Sequence, residues 1–163
     1  MRTIRFHKII KRGMSFVEIL IIVAILGILA AMVIPQYQNT SDTAMINATI
    51  KDFRTFETAI NVYAVKQNGV LPNGGSELQK QIGEYLPSGG LNATPGIGGQ
   101  YTFYSWSGTN SAAVSVAGSP NVGLLSRIDD DLDDGITSTG RVRITSDNEV
   151  FYFVFGPVPA NYP

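Results

Sequence analysis

Residues 14–34 read MSFVEILIIVAILGILAAMVI, an apolar run interrupted only by Ser15 and Glu18. From Ile19 to Ile34 there are sixteen residues without a polar side chain. The hydrocarbon core of a bilayer, about 30 Å, takes roughly 20 helical residues at about 1.5 Å each, so this stretch is long enough to span one. A buried core helix can also be apolar all round, but seldom at this length in a chain of 163 residues. The stretch predicts a membrane-competent helix followed by a small domain.

The flanking charges agree with that reading. Residues 1–13 hold Arg2, Arg5, Lys8, Lys11 and Arg12 and no acid, a net of +5, whereas the rest of the chain nets −6. A short basic segment ahead of a spanning stretch stays in the cytoplasm, and everything after Ile34 is exported. An acidic exported part repels phosphate backbones, so no nucleic-acid partner is expected. The chain has no cysteine, and its single histidine, His7, lies in the basic segment. Thiol catalysis, His-assisted serine catalysis and ordinary zinc sites are thereby excluded from the exported part. A Ser-Lys arrangement or a pair of carboxylates stays open.

An ordinary secretory signal has about 7–15 apolar residues and then a small-residue cleavage site. Here the run is longer, and no A-x-A sequence follows it before Pro35. A plain uncleaved signal-anchor explains the cations and the run but gives Glu18 no purpose. A carboxylate at the centre of a membrane helix costs about 2.5–3.5 kcal/mol on insertion scales and less near the end, so it marks a functional position with a partner to be named. The plainer alternative is an end-of-helix acid favoured by the N-terminal dipole.

Lys11-Arg12-Gly13, then Met14-Ser15-Phe16-Val17-Glu18, then the apolar run, resembles the type IV prepilin signal. That signal belongs to type IV pilins and to the pseudopilins of type II secretion. The resemblance covers residues 8–65 well and the remainder in layout. It implies that a prepilin peptidase cuts between Gly13 and Met14 on the cytoplasmic side and methylates the new N-terminus. The family usually begins its mature chain with Phe, from which Met14 departs. Glu18 becomes the fifth mature residue and Pro35 the twenty-second, where many pilins carry a helix-bending proline. The resemblance also implies a homo-oligomeric helical filament whose subunits leave the inner membrane through an assembly machinery. The Glu18 carboxylate then faces the Met14 ammonium of a neighbouring copy, since a buried carboxylate is tolerable only when paired. Before assembly the chain is a single-pass inner-membrane protein with a cytoplasmic N-terminus; afterwards it is part of an extracellular or periplasmic filament serving motility, adhesion or secretion. No catalytic residue and no certain cofactor are implied. The rival reading is a signal-anchored periplasmic binding domain or enzyme using the acids of 129–134.

The expected organisation is a cleaved leader 1–13, a membrane or filament-core helix 14–40 and an exported head 41–163. Pro35 lacks an amide hydrogen and should kink or locally melt the helix, with polar YQNTSDTA (37–44) tolerating the loosening. Beyond it Ile46, Ile50, Phe53, Phe56, Ile60 and Tyr63 form one amphipathic face, with Lys51, Arg54, Glu57 and Asn61 off it. The pattern stops near Gln67, with Gly69 as the expected cap. SELQKQIGEYL (76–86) predicts a short helix with Ser76 as its N-cap. The glycine- and proline-rich stretch 86–100 predicts an exposed connection. QYTFYSWS (100–107) with SAAVSVAG (111–118), and GRVRIT (140–145) with EVFYFVFG (149–156), predict two hairpins. VFYFVF is apolar on both faces and should be a central strand or one covered by the long helix. The fold class is α+β: a long N-terminal helix packed on a small antiparallel sheet.

Between the hairpins, Asp129, Asp130, Asp131, Asp133 and Asp134 place five carboxylates within six positions. Charges this dense repel, and a hard cation with oxygen ligands, calcium above all, would relieve them. An EF-hand alignment sets Asp129, Asp131 and Asp133 at loop positions one, three and five. It then fails, because Asp134 stands where glycine is needed and Gly140 where a bidentate glutamate belongs. Asp129, Asp131, Asp133 and Asp134 are the candidate ligands. The alternatives are a solvated acidic loop or a helix N-terminus with acids in its first turn. The family resemblance brings no ligand set, because the Trp-Gly-x-Pro-Tyr type of sequence that accompanies the calcium loop of major pseudopilins is absent.

Overall fold

The computed structural model describes residues 13–73, 76–86, 90–118, 122–160 and 162. The expected leader, apart from Gly13, lies outside the described residues. The chain divides into two compact units, Met1–Asn39 and Thr40–Pro163.

Helix α1 runs from Phe16 to Lys66. Its start is set by Ser15 and Glu18, the S-x-x-E spacing in which the acid reaches back to the amide ahead of the helix. The Ser15 amide donates to Glu18 Oε2 at 2.8 Å, and the Glu18 and Ile19 amides donate to the Ser15 carbonyl at 3.0 and 3.3 Å. From Phe16 to Ile34 the large apolar side chains are 43–79% exposed. Mean hydropathy reaches 3.0 in a window of eighteen residues, none of it buried. Among the described residues this is the one helix long and apolar enough to cross a membrane. Pro35 lies inside α1, and the helix continues through it and through 37–44, so the expected melting does not occur. Proline in a helix interior forfeits about 3 kcal/mol, and cooperative propagation from the unbroken turns on both sides carries the helix across it.

In the second unit α1 is amphipathic. Ile46, Ile50, Phe53, Phe56, Ala59, Ile60 and Ala64 are buried, while Lys51, Arg54 and Asn61 are exposed. The helix ends in a Schellman arrangement, the Gly69 amide donating to the Ala64 carbonyl at 2.7 Å. Asn68, with φ 55°, holds the left-handed cap position expected of glycine; asparagine tolerates that region better than other side chains. Helix α2 (Ser76–Ile82) buries Leu78 and Ile82, and a 3₁₀ turn, Gly83–Tyr85, follows.

The connection before the sheet is not wholly exposed. Ile97 is buried, and its amide donates to Thr49 Oγ1 at 3.3 Å. Gly96 lies so close to α1 that any Cβ would overlap the Met45 carbonyl oxygen. A buried isoleucine and a satisfied amide anchor the loop here, which composition alone did not signal.

Strands β1 (Gln100–Trp106), β2 (Ser111–Ala117), β3 (Val142–Ile144) and β4 (Val150–Phe155) form an antiparallel sheet in the order β1-β2-β4-β3. The tight turns place Asn110 and Asn148 in the left-handed region, with φ 48° and 59°. β4 is interior, and its alternation divides two cores. Val150, Tyr152 and Val154 join α1 and the other inward side chains. Phe151 and Phe153 pack on the opposite face with Ala113, Tyr104, Trp106, Val158 and Tyr162. Between β2 and β3 the chain forms helix α3 (Val122–Leu132), where a loop was expected. Its apolar Leu124, Leu125 and Ile128 are buried at helical spacing.

Phe53 is fully buried, its ring centroid 6.2 Å from Tyr101 and 5.4 Å from Tyr152. Phe53→Ala should lower stability by about 3–5 kcal/mol, measured by urea unfolding of the detergent-solubilised chain. Val65→Ala, at a position 80% exposed, should change it by less than about 0.5 kcal/mol. Equal effects would mean that the α1 stripe is not the core.

Candidate functional site

Helical phase explains how an acid enters the core. In α3, Leu125, Ile128 and Asp129 fall at i, i+3 and i+4, so Asp129 shares the inward face of two fully buried aliphatics. It is 0% exposed, and neither carboxylate oxygen has a hydrogen-bond partner. Asp130 and Asp131 fall on the outward face and are exposed. The acids therefore occupy the C-terminal end of a helix rather than a loop or a first turn. That end carries partial negative charge, and no basic residue lies in the last turn of α3.

Past the helix the chain folds back to β3 and orders the next two acids. Asp133 Oδ2 accepts the amides of Arg141 and Val142, the latter at 3.0 Å. Gly140, at φ 68°, is required there: any Cβ would overlap Asp133 Oδ2. Asp134 Oδ1 accepts the Ile136 amide at 2.9 Å and its Oδ2 accepts the Thr139 hydroxyl at 2.7 Å. The Thr139 hydroxyl and then the Ile136 amide hold Asp134 below the usual carboxylate range. Asp129 moves the other way: burial first, then the charges of Asp134, Asp133 and Asp130, push it up to about 6.

One oxygen from each of Asp129, Asp133 and Asp134 lies within 4.8 Å of the other two. Of the four candidate ligands the fold brings these three together and leaves out Asp131. The burial of Asp129 was readable from the Leu125, Ile128, Leu132 phase, but the dense acidic run masked it.

A second set of polar contacts joins α1 to the sheet. The Arg141 guanidinium pairs with Glu57 Oε1 at 2.6 Å, and its Nε donates to the Phe153 carbonyl at 2.9 Å. The Tyr152 hydroxyl donates to Glu57 Oε2 at 2.7 Å, and the Tyr101 hydroxyl to Asp52 Oδ2 at 2.7 Å. Glu57 was readable only as an off-stripe surface acid. Burial and then the Glu57 hydrogen bond push Tyr152 up to about 12, and burial and Asp52 push Tyr101 higher still.

At the other compact unit, Gly13 and Met14 precede α1 without regular structure, and Met14 is 66% exposed. A Cβ on Gly13 would have nothing within 4 Å. Glu18 sits in the first turn of α1 on the Ser15 amide, a partner within its own chain that the sequence reading did not name.

With this geometry the class of fold can be stated. The fold matches the major type IV pilin PilA1 of Clostridium difficile over 71% of this chain and 97% of that one, with a TM-score of 0.52 and 15% identity. This is the type IV pilin fold: a long N-terminal helix on a small antiparallel sheet.

Among curated relatives, the chain is 40% identical over 53 residues to the type IV major fimbrial protein FimA of Dichelobacter nodosus, covering 32% of this chain and 34% of that one. It is 37% identical over 51 residues to the type II secretion system core protein G of Pseudomonas aeruginosa, covering 31% and 36%. A third relative is the prepilin peptidase-dependent protein D of Escherichia coli, 31% identical over 60 residues, covering 37% and 41%. The chain thus matches about a third of the length of the first two. No family model matches it. Over about a third of its length the chain is similar to type IV fimbrial and type II secretion proteins, and its fold is that of a type IV pilin.

The raised tyrosines give a pH dependence with a defined sign. Tyr152 has a folded value of about 12 against an ordinary 10.0, so its contribution to stability is complete below pH 10 and is lost as pH rises from 10 to 12. Urea midpoints should fall across that window, and Tyr152→Phe should flatten the fall. An unchanged slope in the variant would mean that Tyr152 is not raised above its ordinary value in the folded chain.

Proposed function

We propose that this protein is a structural subunit of a type IV pilus-like filament, a pilin, minor pilin or pseudopilin. The observation that carries the reading is the division of α1. Its second half packs its apolar face within the chain, whereas every large apolar side chain from Phe16 to Ile34 stays at least 43% exposed. That surface needs a solvent other than water or a cover from other chains. Before assembly the bilayer supplies it; in a filament the same helices of neighbouring copies do. The reading assigns no catalytic step to the chain, which is instead a substrate of a prepilin peptidase.

The unstructured, exposed Gly13-Met14 bond suits enzymatic access. Cleavage there on the cytoplasmic side frees the Met14 amine, whose methylation retains its charge. The charged amine of one copy then pairs with Glu18 of the next as the helices, including the Pro35 turn, pack in the filament core. The inner-membrane assembly machinery extracts the processed subunit into a filament outside that membrane. Mass spectrometry of the assembled or membrane-bound protein should find residues 1–13 absent and one methyl group on Met14. Retention of residues 1–13 in a monomeric protein would overturn the filament reading in favour of a signal-anchored periplasmic domain.

Glu18 separates two roles by substitution. Glu18→Ala should still be cleaved but should yield few filaments. Glu18→Gln keeps an acceptor for the Ser15 amide and removes the charge. If pairing with the neighbouring amine is what matters, Glu18→Gln assembles as poorly as Glu18→Ala in a filament-shearing assay. Wild-type filament yield from Glu18→Gln would reduce Glu18 to a helix cap.

A further inference from the structure

The acids at the end of α3 carry more than the filament reading uses. Asp129 is buried with both oxygens unpartnered, and an ionised carboxylate in that state is heavily penalised unless something compensates it. No donor reaches Asp129, although the charges of Arg143 and Arg141 act on Asp134 and Asp133. Arg141 is committed to Glu57 and the Phe153 carbonyl, Arg143 Nε lies 3.5 Å from the Gly140 carbonyl, and Arg127 donates to Thr43 at 3.1 Å. The negative end of the α3 dipole adds to the deficit. The unpartnered carboxylate is turned toward two others, one oxygen of each lying within 4.8 Å of the rest.

We propose that Asp129, Asp133 and Asp134 form a binding site for calcium that fastens the C-terminal end of α3 to the turn leading into β3. The donor set is all carboxylate, which selects a hard cation over a transition metal. One oxygen of each lies within 4.8 Å of the other two, a span that one hard cation bridges; calcium accepts flexible sets of protein oxygens, whereas magnesium demands near-ideal octahedral geometry and keeps several of its waters. Calcium takes six to eight oxygens, so water and backbone carbonyls complete its shell. The site reaches beyond its own loop: Asp133 also holds the Arg141 and Val142 amides, and the Arg141 side chain holds Glu57 of α1. Filling the site therefore consolidates the seam between α3, β3 and the long helix. The proposal does not rest on filament formation, since an unassembled subunit would bind equally well.

The test uses the full chain in detergent, with melting followed by circular dichroism in EDTA, in calcium and in magnesium. Calcium at about a hundredfold its Kd should raise Tm by about 5 °C or more, and magnesium at the same concentration by much less. Asp129→Asn should abolish the calcium shift while melting in EDTA no lower than wild type, because the orphaned charge has gone. Asp131→Asn, outside the cluster, should keep the full shift. Should Asp129→Asn not fold, Asp134→Asn carries the same test from an exposed position and should lose most of the shift. The proposal is overturned by a wild-type Tm that calcium leaves unchanged, by a magnesium shift equal to that of calcium, or by a full calcium shift in the Asp129 or Asp134 variant.

Discussion

The structure depends on removing one face of α1, between Ile46 and Ala64, from water. Phe53, Phe56 and Ile60 lie on that face, and the sheet turns Tyr101, Val114, Val116, Tyr152 and Val154 toward it. The edges of the contact are polar and paired: Tyr101 with Asp52, Tyr152 and Arg141 with Glu57. These bonds let phenol and guanidinium groups stand at the border of an apolar seam without stranding a donor. Upstream the same helix is more apolar, and its large side chains stay exposed. A single element thus carries two apolar stretches, one buried within its own unit and one left exposed.

The sheet answers the first requirement with β4, which is covered on both faces. Val150, Tyr152 and Val154 serve the α1 side, and Phe151 and Phe153 support a second cluster closed by Trp106 and Tyr162. Tyr162 meets Trp106, Phe151 and Phe153 edge-on at centroid distances of 5.3, 4.8 and 5.5 Å. Aromatic pairs prefer such edge contacts. In a head without a disulfide, this second layer shields the outer face of the interior strand that the helix cannot reach.

Periodicity made most of this legible. The α1 stripe, both hairpins and the double-sided β4 follow from spacings of 3.6 and 2, which the sequence displays without interference. What escaped were the places where one signal hid another. In α3 the charge of Asp129–Asp131 pointed to a cation loop, a solvated loop or a helix start, and obscured the Leu124, Leu125, Ile128 phase that makes a helix ending there. At Pro35 the helix does not melt, because unbroken turns on both sides carry it across the proline. At Gly69 the obvious residue drew the cap assignment away from Asn68. The candidate cation site was half legible: composition identified the acids, but only the helical phase separates Asp129, which is buried, from Asp130 and Asp131, which are not.

The two ends of helices in this chain show when a carboxylate calls for an outside partner. Glu18 stands at a helix N-terminus, where the dipole favours it and the Ser15 amide satisfies it. It needs nothing further within the subunit. Asp129 stands at a helix C-terminus, where the dipole opposes it and no donor reaches it. Glu18 stands alone in an apolar run and Asp129 within a dense acidic one, but each lies in the turn at one end of its helix. Their position along the helix axis satisfies Glu18 on the Ser15 amide and leaves Asp129 unpartnered.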